Sequence, residues 1–260
     1  MTGRAGEVPR APCAEGGVRR LVDGRFRFDC HPGVDCFNEC CADLRLVLTP
    51  YDILRIQGRL NLSSEKFLAK YTVPHWERGS PFPMLLLKME EGGRRPCPFV
   101  REEGCAIYPD RPGACRLYPV GRGASAAGPR GMEREFYFLV EEPHCHGFRE
   151  PVQWSLEEWL QAQGAGEYNE MNRPWMELVT STSPRLQSMS AQSLQMFYMA
   201  SYNLDQFRRF VLTTRFLQRF RLSEEEVEKV REDRTALMLL AMRWLKFAIL
   251  GAPTMELRGA

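Results

Sequence analysis

The sequence has no run of about 20 apolar residues, the length that a membrane-spanning helix needs. Its greasiest stretch, Ala236 to Leu250, is broken by Arg243 and Lys246. It also has almost no excess charge of one sign: 35 Lys and Arg stand against 33 Asp and Glu, a formal net charge of +2. No global field therefore draws the chain to nucleic acid or acidic lipid, and neither a membrane span nor a nucleic-acid partner is expected. The first twenty residues, MTGRAGEVPRAPCAEGGVRR, lack the apolar centre of a secretory signal, and no hydrophobic segment precedes Cys13 as a lipoprotein signal would require. These absences point to a cytoplasmic protein. No internal repeat or low-complexity tract is visible, which argues against a solenoid.

What the chain does have is cysteine. Nine are spread over 260 residues, 44% of them hydrophobic, so the chain is long enough to bury a core without covalent staples. An odd number of cysteines in a reducing compartment points to metal or catalysis before disulfides.

The pattern along the chain predicts an α+β protein: an irregular cysteine-rich metal-binding domain with short strands and helices, followed by an α-helical C-terminal region. Residues 1–22, rich in Gly, Pro, Arg and Ala, read as a flexible leader. Residues 23–150 form the cysteine domain and 151–260 the helical part. Leu44 to Leu48 suggests a short strand. Thr49, Pro50 and Asp52 mark the start of a helix over about Pro50 to Gly58, and a second short helix starts after Ser63 or Ser64. Met84 to Met89 and Glu133 to Val140 read as strands framing a long cysteine-bearing loop. Gly121 to Gly131 reads as a flexible surface connection, and its G-x-G is no dinucleotide fingerprint because no strand-turn-helix context surrounds it. No cofactor other than metal is assigned. Beyond Cys145, Ser155 and Glu158 form a capping box. One helix is expected from about Ala191 to Phe220, and the last is expected to start at Ser223 with Glu226.

Setting Cys13 aside as a free thiol leaves eight cysteines: Cys30, Cys36, Cys40, Cys41, Cys97, Cys105, Cys115 and Cys145. Tetrahedral zinc sites and cubane iron-sulfur clusters both take four thiolates, so eight suits two closed sites of either kind. Cys36 and Cys40, four apart, would share one face of a helix. The neighbours Cys40 and Cys41 should diverge and serve two centres, or different atoms of one polynuclear cluster. Arg111 and Arg116 bracket Cys115 and could lower its pKa and hydrogen-bond to sulfur.

These residues carry a resemblance. Phe28-Asp29-Cys30 through Cys36, Cys40 and Cys41, then Leu48 to Asp52, Cys97-Pro98-Phe99, Gly104 to Tyr108 and Arg111 to Pro119 resemble the YkgJ family of cysteine-cluster proteins over about residues 26 to 150. The resemblance implies a zinc- or iron-chelating domain with the eight cysteines as ligands, and a distant likeness to flagellin lysine methylase implies protein modification as an alternative activity. Many members show C-x2-C-x2-C-C at the first cluster, whereas the gaps between Cys30, Cys36 and Cys40 are wider here. His31, His75, His144 and His146 are left out of the ligand set, and Asp110, Glu141 and Glu142 lack the paired nucleophile that acid-base chemistry requires. Arg208, Arg209, Arg215, Arg219 and Arg221 form a basic stretch on the C-terminal helices. It reads as a charged outer face that could also recruit a protein partner to a metal-stabilised scaffold.

Overall fold

The computed structural model describes residues 17–21, 24–125 and 134–259; Cys13 and most of the leader lie outside them. In chain order the elements begin with strands β1 (Gly17–Arg20), β2 (Arg25–Arg27) and β3 (Val47–Leu48), and helices α1 (Pro50–Leu60) and α2 (Ser64–Tyr71). Strands β4 (Thr72–Trp76), β5 (Pro83–Leu87), β6 (Val100–Arg101) and β7 (Gly104–Cys105) precede the short helix α3 (Gly113–Leu117). Strands β8 (Val120–Ser125), β9 (Arg134–Glu141) and β10 (Gln153–Ser155) lead into α4 (Leu156–Ala162), α5 (Ala165–Val179), α6 (Ala191–Tyr202), α7 (Leu204–Thr213), α8 (Phe216–Arg219), α9 (Glu224–Glu232) and α10 (Arg234–Leu245). The fold class is α+β, with small sheets in the cysteine-rich part and helices after it.

The strands pair antiparallel in four small sheets, ordered β1-β9-β8, β10-β2, β3-β5-β4 and β6-β7. Most of the buried apolar side chains form one cluster that runs from Leu48, Ile56 and Phe67 through Leu85 and Ile107 to Trp175, Phe197, Phe207 and Leu237. Helix α1 packs on α5 and α10 within it. A smaller cluster joins Phe26, Phe28, Val120, Leu139 and Trp159. Its aromatic rings meet edge to face, with Phe28 at 5.6 Å from Trp159 and 5.8 Å from Tyr118.

The helix starts follow their caps. Thr49 accepts from the Asp52 amide while the Asp52 carboxylate accepts from the Thr49 amide, and Pro50 opens the helix. Ser63 caps α2, and Ser155 with Glu158 forms the box of α4. The expected helix from Ala191 to Phe220 is instead three. Asn203 leaves helical geometry at φ −106° and ψ 70° and caps α7 through its side chain, and Thr214 is extended. Ser223 and Glu226 do form a capping box, but the helix they open is followed by another. Asp233 ends α9 and accepts from the Thr235 and Ala236 amides to start α10.

The two apolar segments expected to frame the cysteine loop lie in different sheets, β5 between β3 and β4, and β9 between β1 and β8. Gly17–Arg20, at the end of the expected leader, pairs with β9, where Arg19 also reaches Glu141 at 2.7 Å. The stretch read as a flexible connection is in part strand β8, while residues 126–133 lie outside the described ones. Its glycines have a packing reason. Gly121 stands opposite Phe138, and a Cβ on it would come within 2.3 Å of that ring. The bare backbone lets the aromatic ring lie across the strand.

Substituting Gly121→Ala should therefore overpack this contact and lower the unfolding free energy by about 1–3 kcal/mol. Urea denaturation checks it, and an unchanged midpoint would contradict the packing account.

Candidate metal centre

The first cysteine stretch is held by backbone pairing to the second. Cys40 and Cys41 lie on a 3-10 turn, Glu39–Cys41, entered through the left-handed Asn38 (φ 67°). The Asn38 side-chain Nδ2 donates to the carbonyls of Arg101 at 2.9 Å and Glu102 at 3.2 Å, which ties this turn to the hairpin β6-β7. Beyond the turn the Cys97 amide donates to the Cys41 carbonyl at 2.8 Å, and Ala42 bridges Pro96. Hairpin β6-β7 places Cys105 opposite Val100, a few residues from Cys97.

Cys115 is set by a buried carboxylate. Asp52, 1% exposed, accepts from the Thr49 backbone amide and hydroxyl at 2.9 and 2.6 Å through one oxygen. Through the other it accepts from the Gly113 amide at 2.8 Å. This joins the first turn of α1 to the first turn of α3, which carries Cys115. Burial pushes the Asp52 pKa up, and the bonds from Thr49 and Gly113 pull it back. The role of Asp52 in placing α3 is a link that helix-cap reasoning alone does not reveal.

Cys145 is brought to Cys30 by a second close approach. The Asp29 amide donates to the Gly147 carbonyl at 3.1 Å, and a Cβ at Gly147 would lie 2.6 Å from the Asp29 carbonyl oxygen and 2.7 Å from the Phe28 ring. Only glycine fits there without a shift.

The result is two groups of sulfurs. Cys30, Cys36, Cys40 and Cys145 line one small cavity of about 10 Å³, walled by Phe28, Val34 and Tyr118. That is about the room of a single small atom. Cys97, Cys105 and Cys115 all pack against the main core; burial raises the Cys115 pKa most, and Cys97, Asp52, Cys105 and Cys40 add repulsion. Cys41 lies between, hydrogen-bonded through its carbonyl to Cys97 and with its sulfur 4.0 Å from that of Cys40. The expectation that the Cys40 and Cys41 side chains diverge is therefore corrected. On this short turn they lie side by side.

All eight described cysteines are free thiols. Burial pushes Cys30 from the ordinary 9.0 up to about 11, with Cys40, Cys145 and Cys36 adding repulsion. The hydrogen bond with Cys41, then burial, raises Cys40 far above the usual thiol range. Against this, one backbone amide is aimed at sulfur: that of His146 donates to Cys36 Sγ at 3.1 Å. Burial raises the pKa values of Cys97, Cys105 and Cys145, and the backbone at Phe99, Ile107 and Gly147 offsets part of that rise. Among the described residues no three Cys, His, Asp or Glu side chains are already drawn into a set ready to hold an ion.

The arginines beside Cys115 act differently from expectation. Arg116, 9% exposed, donates to the carbonyls of Gln163 at 2.7 Å and Pro109, and stacks on Tyr168 at 4.3 Å. Arg111 donates to the Tyr108 carbonyl at 2.7 Å and to Gln163 Oε1 at 2.5 Å. Neither donates to sulfur, because nearby carbonyls and an amide oxygen are stronger acceptors than a neutral thiol. Burial raises the Cys105 pKa, and the Arg111 charge offsets part of that rise. Tyr118 faces the first group of thiols: its buried hydroxyl lies against Cys145, and it offsets part of the rise that burial gives the Cys145 pKa. Of the histidines left out of the ligand set, His144 borders the cavity and pairs with Glu142 at 3.4 Å. His31 accepts from the Gly33 amide at 3.1 Å.

Residues 29–146 match the model of the CxxCxxCC family, described as "Putative zinc- or iron-chelating domain". The matched stretch takes in all eight of these cysteines and stops before β10 and helices α4 to α10. No curated protein and no solved structure matches the chain. No helix among the described residues is long and apolar enough to cross a membrane.

A thiol whose pKa is higher in the fold than in the unfolded chain lends stability that is intact below the unfolded pKa and lost as pH rises through the folded one. For the reduced, metal-free protein the Cys30 contribution is thus present below 9.0 and lost toward about 11. Its denaturation midpoint should fall between about pH 8 and about pH 11. A midpoint that rises over this interval would contradict the burial account.

Proposed function

We propose that the chain is a metal-binding protein that holds zinc or iron through eight thiolates in two four-cysteine groups meeting at Cys40–Cys41. Cys30, Cys36, Cys40 and Cys145 form one group; Cys41, Cys97, Cys105 and Cys115 form the other. The observation that carries this reading is the gathering of Cys30, Cys36, Cys40 and Cys145 around one small cavity, where the His146 backbone amide donates to Cys36 Sγ at 3.1 Å. Such a donor is of little use to a buried neutral thiol but stabilises sulfur that carries charge toward a metal.

The donor chemistry fits the ion. Soft thiolates select zinc and iron, and a dication at each group offsets the burial and mutual repulsion that hold the free thiols protonated. Closure of the four side chains around it is the step that loading requires. The Tyr118 hydroxyl against Cys145 and the Asp52 link to Gly113 are the supports around the ligands. Sulfide-bridged iron is the second reading, favoured by the 4.0 Å between the sulfurs of Cys40 and Cys41. That closeness brings the two groups within reach of one polynuclear cluster.

Anaerobic purification with elemental and sulfide analysis should give at least about one metal equivalent per chain. Zinc without colour supports single-ion sites, and iron with acid-labile sulfide supports the cluster. Protein with neither metal overturns both. Cys40→Ser, Cys105→Ser and Cys115→Ser should each lower metal content and destabilise the fold, whereas Cys13→Ser should do neither. Equal retention of metal in all four variants would contradict the ligand assignment.

A further inference from the structure

On the helical side, away from the cysteines, lies a groove of about 710 Å³ between the end of α10, the turn after α7, and the segment before α6. Its volume is that of a small-molecule site. It is bordered by aromatic rings: Phe210 and Phe247 are half-buried along it, and Phe210 sits 5.2 Å from the buried Trp244. Its rim carries Arg185, Arg215 and Arg219, and no carboxylate lines it.

The charge of these arginines is uncompensated. None of the three has an ion-pair partner among the described residues, as is also true of Arg173 and Arg208, whereas Arg209, Arg221, Arg231, Arg234 and Arg243 pair with Glu65, Glu256, Glu228, Asp205 and Glu226. Phe247 stands on a π-helical turn, Lys246–Leu250, that continues α10. Such turns interrupt regular helices mostly where a site is being shaped. The turn ends at the left-handed Gly251, and the Arg185 guanidinium lies across that bare Cα: a Cβ there would be 2.2 Å from Arg185 Nη1. The glycine thus leaves space for Arg185 at the groove's edge.

We propose that this groove binds a small organic anion, a flat apolar ring system bearing a phosphate or carboxylate. The ring lies against Phe210 and Phe247, and the oxyanion is held by the forked donors of Arg185, Arg215 and Arg219. Guanidinium groups match phosphate and carboxylate oxygens with two parallel bonds, and aromatic linings with few fixed polar groups are how small-molecule sites orient a ring. The inference is independent of the metal reading, since it uses no cysteine.

The full-length, metal-loaded protein should bind the fluorescent anion anilinonaphthalene sulfonate at one saturable site, and its neutral relative phenylnaphthylamine far more weakly. Neutralising the exposed pair as Arg215→Gln/Arg219→Gln should weaken the anion about tenfold. Removing the same charge elsewhere as Arg209→Gln/Arg231→Gln should leave the affinity unchanged. Displacement by AMP identifies phosphate as the preferred group and displacement by indole acetate identifies carboxylate; either supports the site. Equal affinity in the two double variants, comparable binding of the neutral probe, or displacement by neither competitor would overturn it.

Discussion

Cys40 and Cys41 occupy one short turn whose backbone is fixed from two directions, by Asn38 reaching the β6-β7 hairpin and by the Cys97 amide bonded to the Cys41 carbonyl. The other cysteines gather around that turn from two sides. Cys30, Cys36 and Cys145 approach it from the side of the small aromatic cluster, and Cys97, Cys105 and Cys115 from the side of the main core. A buried thiol gains little from such an arrangement, since burial and repulsion from its neighbours keep it protonated. A cation reverses the sign of that repulsion, and the fold then holds thiolates where it had resisted them.

The rest of the molecule serves as a rigid mount. The Asp52 carboxylate locks α3 onto α1, α1 packs on α5 and α10, and the Trp159 indole donates to the Leu117 carbonyl at 2.9 Å at the end of α3. Cys115 is thereby tied through α3 to the helices that follow the cysteine region. Loss of one ligand should consequently be felt beyond the loop that carries it.

Much of this was legible in the sequence where the physics is local. Thr49, Ser63 and Ser155 announce helices because a side-chain oxygen beside free amides is a short-range event. The eight cysteines stand out because thiols rarely cluster without a task. What could not be read depends on contacts across the chain. The glycines of β8 look like a flexible linker until Phe136 and Phe138 are seen opposite them. Arg111 and Arg116 look like sulfur partners until Gln163, some fifty residues on, supplies better acceptors. The break at Asn203 had a local sign, an Asn followed by Leu and Asp, but the apolar period continues through it and hides the cap.

The claim that the eight thiols bind metal together is tested most directly by X-ray absorption at the metal edge of the anaerobically purified protein. The account predicts a first shell of about four sulfurs at about 2.3 Å, diminished when Cys40 or Cys115 is replaced by serine. A shell dominated by nitrogen or oxygen, or one indifferent to those replacements, would contradict it.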